Sequence, residues 1–449
     1  MKTGSIKISR FDEGLTVFKP DYYLNKGKKT ISDLLDKNVP FKSLSIISDR
    51  IYQGGIFKRI FVEKEEFAHK YITASDMVKS EPLDTAKNIS IKYTPWIEDM
   101  TLNKNQILVS CAGTVGNTTI VNENFSGCIG SQEIIRVETS DIPFGFLYAY
   151  LSSSTVNQYI QSMIYGAVVP RISPSELGNL PVLLPEKKVQ LKIHNLILES
   201  MKLREDASKL LRQSQLIISK ELNYQKESLN YINSLKNILN SHQIRFESNY
   251  YASEGYTIQE HIRKGNYKNL VEISDKIYRP GIFKRHYVEN GIEFFGGADI
   301  VKAIPQSEKK LSIAKTKHLE TLKIQEDQIL ITCGGTIGYT VLVNRYLSEK
   351  TASQHILRVR AKGIKTGYLF AFMSSELGLK AIQSFTYGSV IPQIEPHHLE
   401  LLPIPILEDS IMNKIHEMIM RYKENISIAI EKELEAINLV EKEIEEWEK

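Results

Sequence analysis

An α+β fold, built as two copies of one domain with a long helix after each, is predicted for this 449-residue chain by three observations. The segment Ile47–Arg59 reads ISDRIYQGGIFKR and Ile273–Arg285 reads ISDKIYRPGIFKR, identical at 10 of 13 positions, so the chain carries an internal duplication. Later pairs keep a constant offset of 222: Gln106 with Gln328, Ser131-Gln132 with Ser353-Gln354, and Tyr165-Gly166 with Tyr387-Gly388. Earlier pairs drift, Thr30 with Thr257 by 227 and Ile47 with Ile273 by 226, which places insertions between Arg59 and Gln106. Finally, strand-like and helix-like stretches fall in separate blocks with no βαβ alternation.

Taken in order, the first domain spans residues 1–185, opening with Arg10-Phe11 and Tyr22-Tyr23, which Arg245-Phe246 and Tyr250-Tyr251 answer in the second copy. Ile31, Leu34 and Leu35 predict one or two helical turns. The ISDRIYQGGIFKR segment predicts a strand, a turn at Gly54-Gly55 (Pro280-Gly281 in the second copy) and a return strand through Ile56, Phe57 and Ile60 to Val62. QILVSCAGTVGNTTIV and its counterpart QILITCGGTIGYTVLV predict a hairpin whose tip exposes Thr114 or Thr336. A strand at Glu133–Val137 and an amphipathic helix from Gly145 follow, and Pro181 and Pro185 end the domain.

Residues 186–243 predict one long helix, with Leu196, Leu203, Leu210 and Ile217 every seventh residue and Ile193, Ser200, Ala207 and Ser214 between them, the a/d seam of a coiled coil. The second domain occupies 244–407. A final helix at 408–449 repeats the apolar spacing from Ile411 to Trp447, so it is expected to pair with the central helix, and two domains from one duplicated unit are expected to be related by an approximate two-fold axis.

Composition is that of an ordinary globular chain, 42% hydrophobic and 24% charged. The N-terminus MKTGSIKISR lacks an apolar leader core and no stretch approaches the length of a membrane span, so a cytoplasmic location is expected. Cys111, Cys128 and Cys333 are too few and scattered for a four-ligand zinc site or a disulfide framework, and no metal site is expected. The net charge of +4 is uneven: Glu431–Lys449 holds eight Glu and three Lys, a balance of −5, leaving +9 elsewhere. Basic domains suit a polyanion, and the acidic tail suits a protein partner.

Catalytic constellations are missing from the sequence. There is no aminomethylation N-P-P-[YF] motif, no S-adenosylmethionine loop, no Walker lysine and no H-E-x-x-H; Gly113-Thr114-x-Gly116 lacks the spacing and lysine of a P-loop. His397-His398 has Ser175-Glu176 as its counterpart and reads as surface histidine. Binding signals repeat instead. Lys58-Arg59 and Lys284-Arg285 follow an aromatic just past the turn, with Tyr52 and Tyr278 before it, a combination that holds phosphates and stacks on bases. Gln132, Gln354, Arg171 and Gln393 have side chains suited to bidentate base contacts. Equivalent positions differ between copies: Asn117 and Tyr339, Gln53 and Arg279, Arg171 and Gln393, Glu133 and His355.

The duplicated Q-I-L-[VI]-[ST]-C-x-G-T-x-G and Y-G-x-V-[VI]-P-x-I segments, the L-P-[VI] exits and the helix after each together resemble the DNA-specificity subunit of type I restriction-modification enzymes, over essentially the whole chain. The resemblance implies two target-recognition domains on an antiparallel helical spacer, each reading half of a bipartite double-stranded DNA target, without catalytic residues. It further implies two methyltransferase subunits along the spacer and a motor-nuclease subunit, with S-adenosylmethionine, ATP and Mg in those partners and no cofactor in this chain. The alternatives are the specificity subunit of a two-subunit enzyme that cuts on both sides of its site, and a coiled-coil scaffold that binds no DNA.

Overall fold

Alternating apolar residues in three segments of the first copy build its central sheet. The computed structural model describes residues 20–63, 65–166, 168–226, 234–240, 245–388, 390 and 392–449; Arg10-Phe11 lies outside them. The chain divides into two compact units, Met1–Glu205 with Ala429–Lys449, and Asp206–Ile428.

In the first unit the strands are β1 (Phe41–Ser43), β2 (Arg50–Gln53), β3 (Ala68–Ile72), β4 (Lys87–Ser90), β5 (Ile107–Ser110), β6 (Thr118–Ile120), β7 (Ile129–Gly130), β8 (Ile134–Glu138) and β9 (Pro181–Leu183). The main sheet has the order β2-β8-β5-β6, antiparallel throughout, with Leu108 opposite both Arg136 and Thr119. A smaller sheet, β4-β3-β7, stands beside it, and β1 pairs with β9. Ile107, Val109, Ile135 and Val137 point into a core shared with the helices Lys26–Asp36, Phe144–Ser152 and Ser154–Ser162 and with Ile193, Ile197, Ala436, Val440 and Ile444 of the two long helices.

The second unit repeats the plan with β10 (Tyr267–Asn269), β11 (Ser274–Tyr278), β12 (Tyr287–Phe295), β13 (Lys310–Leu311), β14 (Ile329–Thr332), β15 (Thr340–Leu342), β16 (Thr351–Ala352), β17 (Ile356–Ala361) and β18 (Pro403–Pro405). Its sheets run β11-β17-β14-β15 and β13-β12-β16, and β10 pairs with β18. Its core takes Leu211 and Ile218 from the central helix and Met412, Ile415 and Ile419 from the C-terminal one. Since early central-helix residues share a core with late C-terminal ones, and late with early, the two helices run antiparallel within each unit.

Several expectations are corrected. The return strand after Gly54-Gly55 does not form: β2 pairs only with β8, and the chain crosses to the smaller sheet, where Ser90 donates to Ile60 O (2.9 Å) and Val62 to Asn88 O (3.0 Å). The helix expected from Gly145 is two helices, broken at Ser153, whose hydroxyl caps the second; the first is buried on nearly every side rather than amphipathic. The central helix is Lys187–Leu222, ending at Asn223 with φ of 44°, and Leu235–Asn240 is a separate short helix.

The predicted seam is buried at Ile193, Leu196, Ser200, Ala207 and Ser214 but only half-buried at Leu203, Leu210 and Ile217. Ile197, Leu211 and Ile218 are buried and Arg204 lies between them, while Leu203, Leu210 and Ile217 flank the contact. One residue turns a helix by about 100°, and the neighbouring stripe of Ile197, Leu211 and Ile218 is interrupted by Arg204, whose side chain is 13% exposed. That arginine is held by Glu433, whose carboxylate accepts from Arg204 Nη2 (2.7 Å) and Nε (3.2 Å) and from the Tyr148 hydroxyl. Part of the acidic tail, read as a partner surface, is therefore spent inside the first unit. Glu441 likewise accepts from the Thr155 backbone N–H (2.9 Å) and hydroxyl (2.7 Å).

Candidate nucleic-acid interface

An antiparallel sheet collects alternate connections at each end, and this topology gathers the candidate residues. The segment after β2, the segment before β8, the turn after β5 and the start of β6 all lie at one end of the first unit's main sheet. Gln53, Gln132, Glu133, Thr114 and Asn117 therefore share that end. The Tyr165–Arg171 segment joins them: Tyr165 and Arg171 exchange backbone hydrogen bonds of 2.9 Å each, Gly113 donates to Pro170 O (3.2 Å), and Ile172 donates to Cys111 O (3.1 Å). This brings Arg171, whose side chain is exposed, beside Ala112. The second unit makes the same pinch between Tyr387 and Gln393 and the same link from Ile394 to Cys333 O (3.2 Å).

The tip of each hairpin requires glycine. Gly116 and Gly338 have φ of 88° and 89°, a region where L side chains are strained, and these conformations turn the chain back into β6 and β15. Ser110 Oγ donates to Thr114 O (2.6 Å) and accepts from Asn117 N–H (2.9 Å), and Thr332 Oγ1 accepts from Tyr339 N–H (3.0 Å). Thr114 and Thr336 are exposed on this braced loop, and Asn117 and Tyr339 are half-buried.

Phe57 and Phe283 anchor the segment beyond the glycine turn. Phe57 packs on Tyr71, Ile89, Met100 and Ile129, while Phe283 packs on Phe294, Leu311 and Leu322. With the ring buried behind them, Lys58, Arg59, Lys284 and Arg285 face solvent. Gly55 lies so close to the Trp96 ring that a Cβ there would fall 2.6 Å from it, so a side chain at this position would have to displace that exposed ring. Arg285 Nη2 donates to the Gln354 carboxamide oxygen (3.1 Å), and its guanidinium lies 5.5 Å from the Phe294 ring centroid. In the first unit Tyr71, in the place of Phe294, donates from its hydroxyl to Gln132 Oε1 (3.5 Å). Burial pushes that hydroxyl above its ordinary pKa, and the Arg59 charge beside it opposes the shift.

Other candidates lie elsewhere or are already engaged. Tyr52 and Tyr278 sit over the guanidinium groups of Arg136 and Arg358, at 5.7 and 5.8 Å, and the Tyr52 hydroxyl meets Gln106 (3.1 Å) and Glu138 (3.3 Å), away from the loop end. Arg279 is neutralised by Glu395 at 2.6 Å. Gln354 is mostly buried and is engaged by Arg285 (3.1 Å) and by the exposed His355 ring (3.3 Å).

Sequence reading missed the apolar tips. Ile56 and Ile282 are 76% and 91% exposed, Val168 and Val390 93% and 89%. Each pair occupies the same place in the two copies, and that repetition was the available signal. Cys111 and Cys333 are buried just past strand ends, and burial pushes both thiols up to about 11. Among the described residues no group of His, Cys, Asp and Glu is placed to hold a metal, and no helix is long and apolar enough to cross a membrane.

These features define a duplicated binding module that offers cations, amides and apolar tips from matched loops. The family model described as "Type I restriction modification DNA specificity domain" matches the chain twice, over residues 16–201 and 263–439. The chain belongs to this family of DNA-specificity subunits, which bind DNA, assemble with other restriction-modification subunits and are generally non-catalytic. Similar solved chains include the type I S subunit from M. genitalium, 13% identical with a TM-score of 0.34, covering 92% of this chain and 97% of that one. The HsdS subunit from Thermoanaerobacter tengcongensis is 13% identical with a TM-score of 0.28, covering 91% and 96%. A chain from a study of complex assembly and conformational transition of the type I R-M system is 12% identical with a TM-score of 0.28, covering 91% and 97%. No curated protein matches at a significant level.

Proposed function

We propose that the chain reads a bipartite double-stranded DNA target, one half per domain, as the recognition subunit of a type I complex in the cytoplasm. Two methyltransferase subunits bind along its helical pair and a motor-nuclease subunit joins them. S-adenosylmethionine, ATP and Mg serve those partners, and this chain binds none of them. The observation that carries the reading is that both domains present different side chains from the same loop end of one scaffold. Lys58, Arg59, Lys284 and Arg285 hold phosphates, which fix register without carrying sequence information. Thr114, Asn117, Gln132 and Arg171 in the first domain, and Thr336, Tyr339 and Gln393 in the second, face base edges, where Arg pairs with guanine and Gln with adenine, while the largely buried Gln354 positions Arg285 from behind. Tyr52 and Tyr278 support the sheet beneath, and Ile56 and Ile282 meet thymine methyl groups or wedge a base step.

Mapping methylated sites in a host that carries the chain with its methyltransferase partner tests this. Arg171→Gln is expected to change the bases required in one half-site and leave the other half-site intact. An unchanged target would remove Arg171 from the list of readers, and methylation without any sequence requirement would reject the recognition role itself.

A further inference from the structure

The two long helices keep the 222 offset: His194 and His416 each accept from a backbone N–H through Nδ1, Gly145 and Gly367 donating at 3.1 Å. The offset therefore shows what each helix position becomes in the other copy. Arg204 corresponds to Ile426, Glu433 to Leu211, Tyr148 to Phe370 and Ser200 to Tyr422. The first unit joins Tyr148, Ser200, Arg204 and Glu433 in one polar network that is buried except at Arg204, whose side chain is 13% exposed, with Glu433 only 6% exposed. The second unit fills the same places with Leu211, Phe370, Tyr422 and Ile426, and Phe370 stacks on Tyr422 at 5.9 Å.

A partner of the wrong kind would break this arrangement. If the central helices of two copies paired as the helices do in the first unit, Arg204 would meet Leu211 of the other copy, and Tyr148 would lose its acceptor. If two C-terminal helices paired, Glu433 would meet Ile426. Either way a charge is buried without a counter-charge, and leaving one partner of a buried pair alone is far costlier than replacing both by apolar groups. Only the pairing of a central helix with a C-terminal helix satisfies both sets. We propose that the Tyr148–Arg204–Glu433 network is a pairing code that excludes like-with-like association of the helices of two copies of this chain. A single polar element placed off-centre in a helical seam sets partner choice in this way.

The test uses the full chain. Tyr148→Phe with Arg204→Ile gives the first domain the second domain's side chains, so two central helices become compatible while Glu433 is orphaned. Its dimer dissociation constant by sedimentation is expected to fall roughly a hundredfold below that of the parent chain. Ser200→Cys and Ala207→Cys, added to this variant, report the geometry. They lie about 10 Å apart along one helix, beyond disulfide reach, but face each other when central helices of two copies pair. A disulfide-linked dimer is expected. Adding Glu433→Leu restores an all-apolar match within the chain, and the monomer should return with helicity intact. A doubly substituted chain that stays helical and monomeric, or dimers without the disulfide, would overturn the code. So would a Tyr148→Phe, Arg204→Ile, Glu433→Leu variant that dimerises as strongly as the double variant.

Discussion

Arg136 and Arg358 are buried completely inside their sheets, and each spends its guanidinium on three carbonyls in matching positions. Arg136 donates to Ile134 O (3.1 Å), Met100 O (3.2 Å) and Gly130 O (2.8 Å), and Arg358 donates to Ile356 O (3.2 Å), Leu322 O (3.1 Å) and Ala352 O (2.8 Å). Burial lowers both from their ordinary pKa, that of Arg358 to about 10. Arg136→Leu is expected to cost on the order of 3 kcal/mol of stability by denaturant titration, because it strands those acceptors. Arg136→Lys is expected to recover little, since an ammonium lacks the planar fork. Sequence showed an Arg in the apolar run Ile134–Val137 but nothing of its acceptors, one of which lies 36 residues away. His398 is a second such case. It accepts from Glu395 N–H (3.1 Å) where Glu176 closes a capping box in the first copy. Burial, and then the charges of His397 and Arg245, lower it to about 4, with Glu395 opposing. Its folded pKa lies below the unfolded value, so the stability is full above about pH 6.5 and is lost as pH falls toward 4. His398→Gln, which keeps the acceptor, should flatten that part of a melting-temperature profile.

Among elements, local pattern was trustworthy where neighbours in sequence are neighbours in space. The β5–β6 hairpin formed with its glycines in the left-handed region, because a tight turn is specified by its own residues. The turn at Gly54-Gly55 looked equally convincing and closed no hairpin: β2 pairs with β8, some eighty residues away, and the segment after the turn hydrogen-bonds to β4 of the smaller sheet instead. In the same way Glu441 belongs to the acidic tail read as a partner surface, yet it caps the helix Ser154–Ser162 through Thr155. Glu441→Ala is expected to cost about 1 kcal/mol in the denaturant midpoint, the usual scale for an N-terminal cap, and Glu441→Asp should recover part of it.

For the molecule as a whole, DNA recognition predicts a specific salt dependence. Lys58→Ala with Arg59→Ala is expected to weaken binding similarly for all sequences and to lower the slope of log affinity against log salt by about 2, roughly 0.9 per lost phosphate contact. Affinity that ignores salt would favour a scaffold without DNA. The duplication, the α+β class, the two long helices and the basic loop motifs were legible because they are repeats and periodicities, which a linear chain records directly. Which candidates share one end of a sheet, that Tyr52 lies away from that end, that Arg204 sits in the helix contact, and that Glu433 is buried were decided only by tertiary structure. Each depends on a partner tens to hundreds of residues distant, and a buried charge leaves no mark in sequence until its counter-charge is placed beside it.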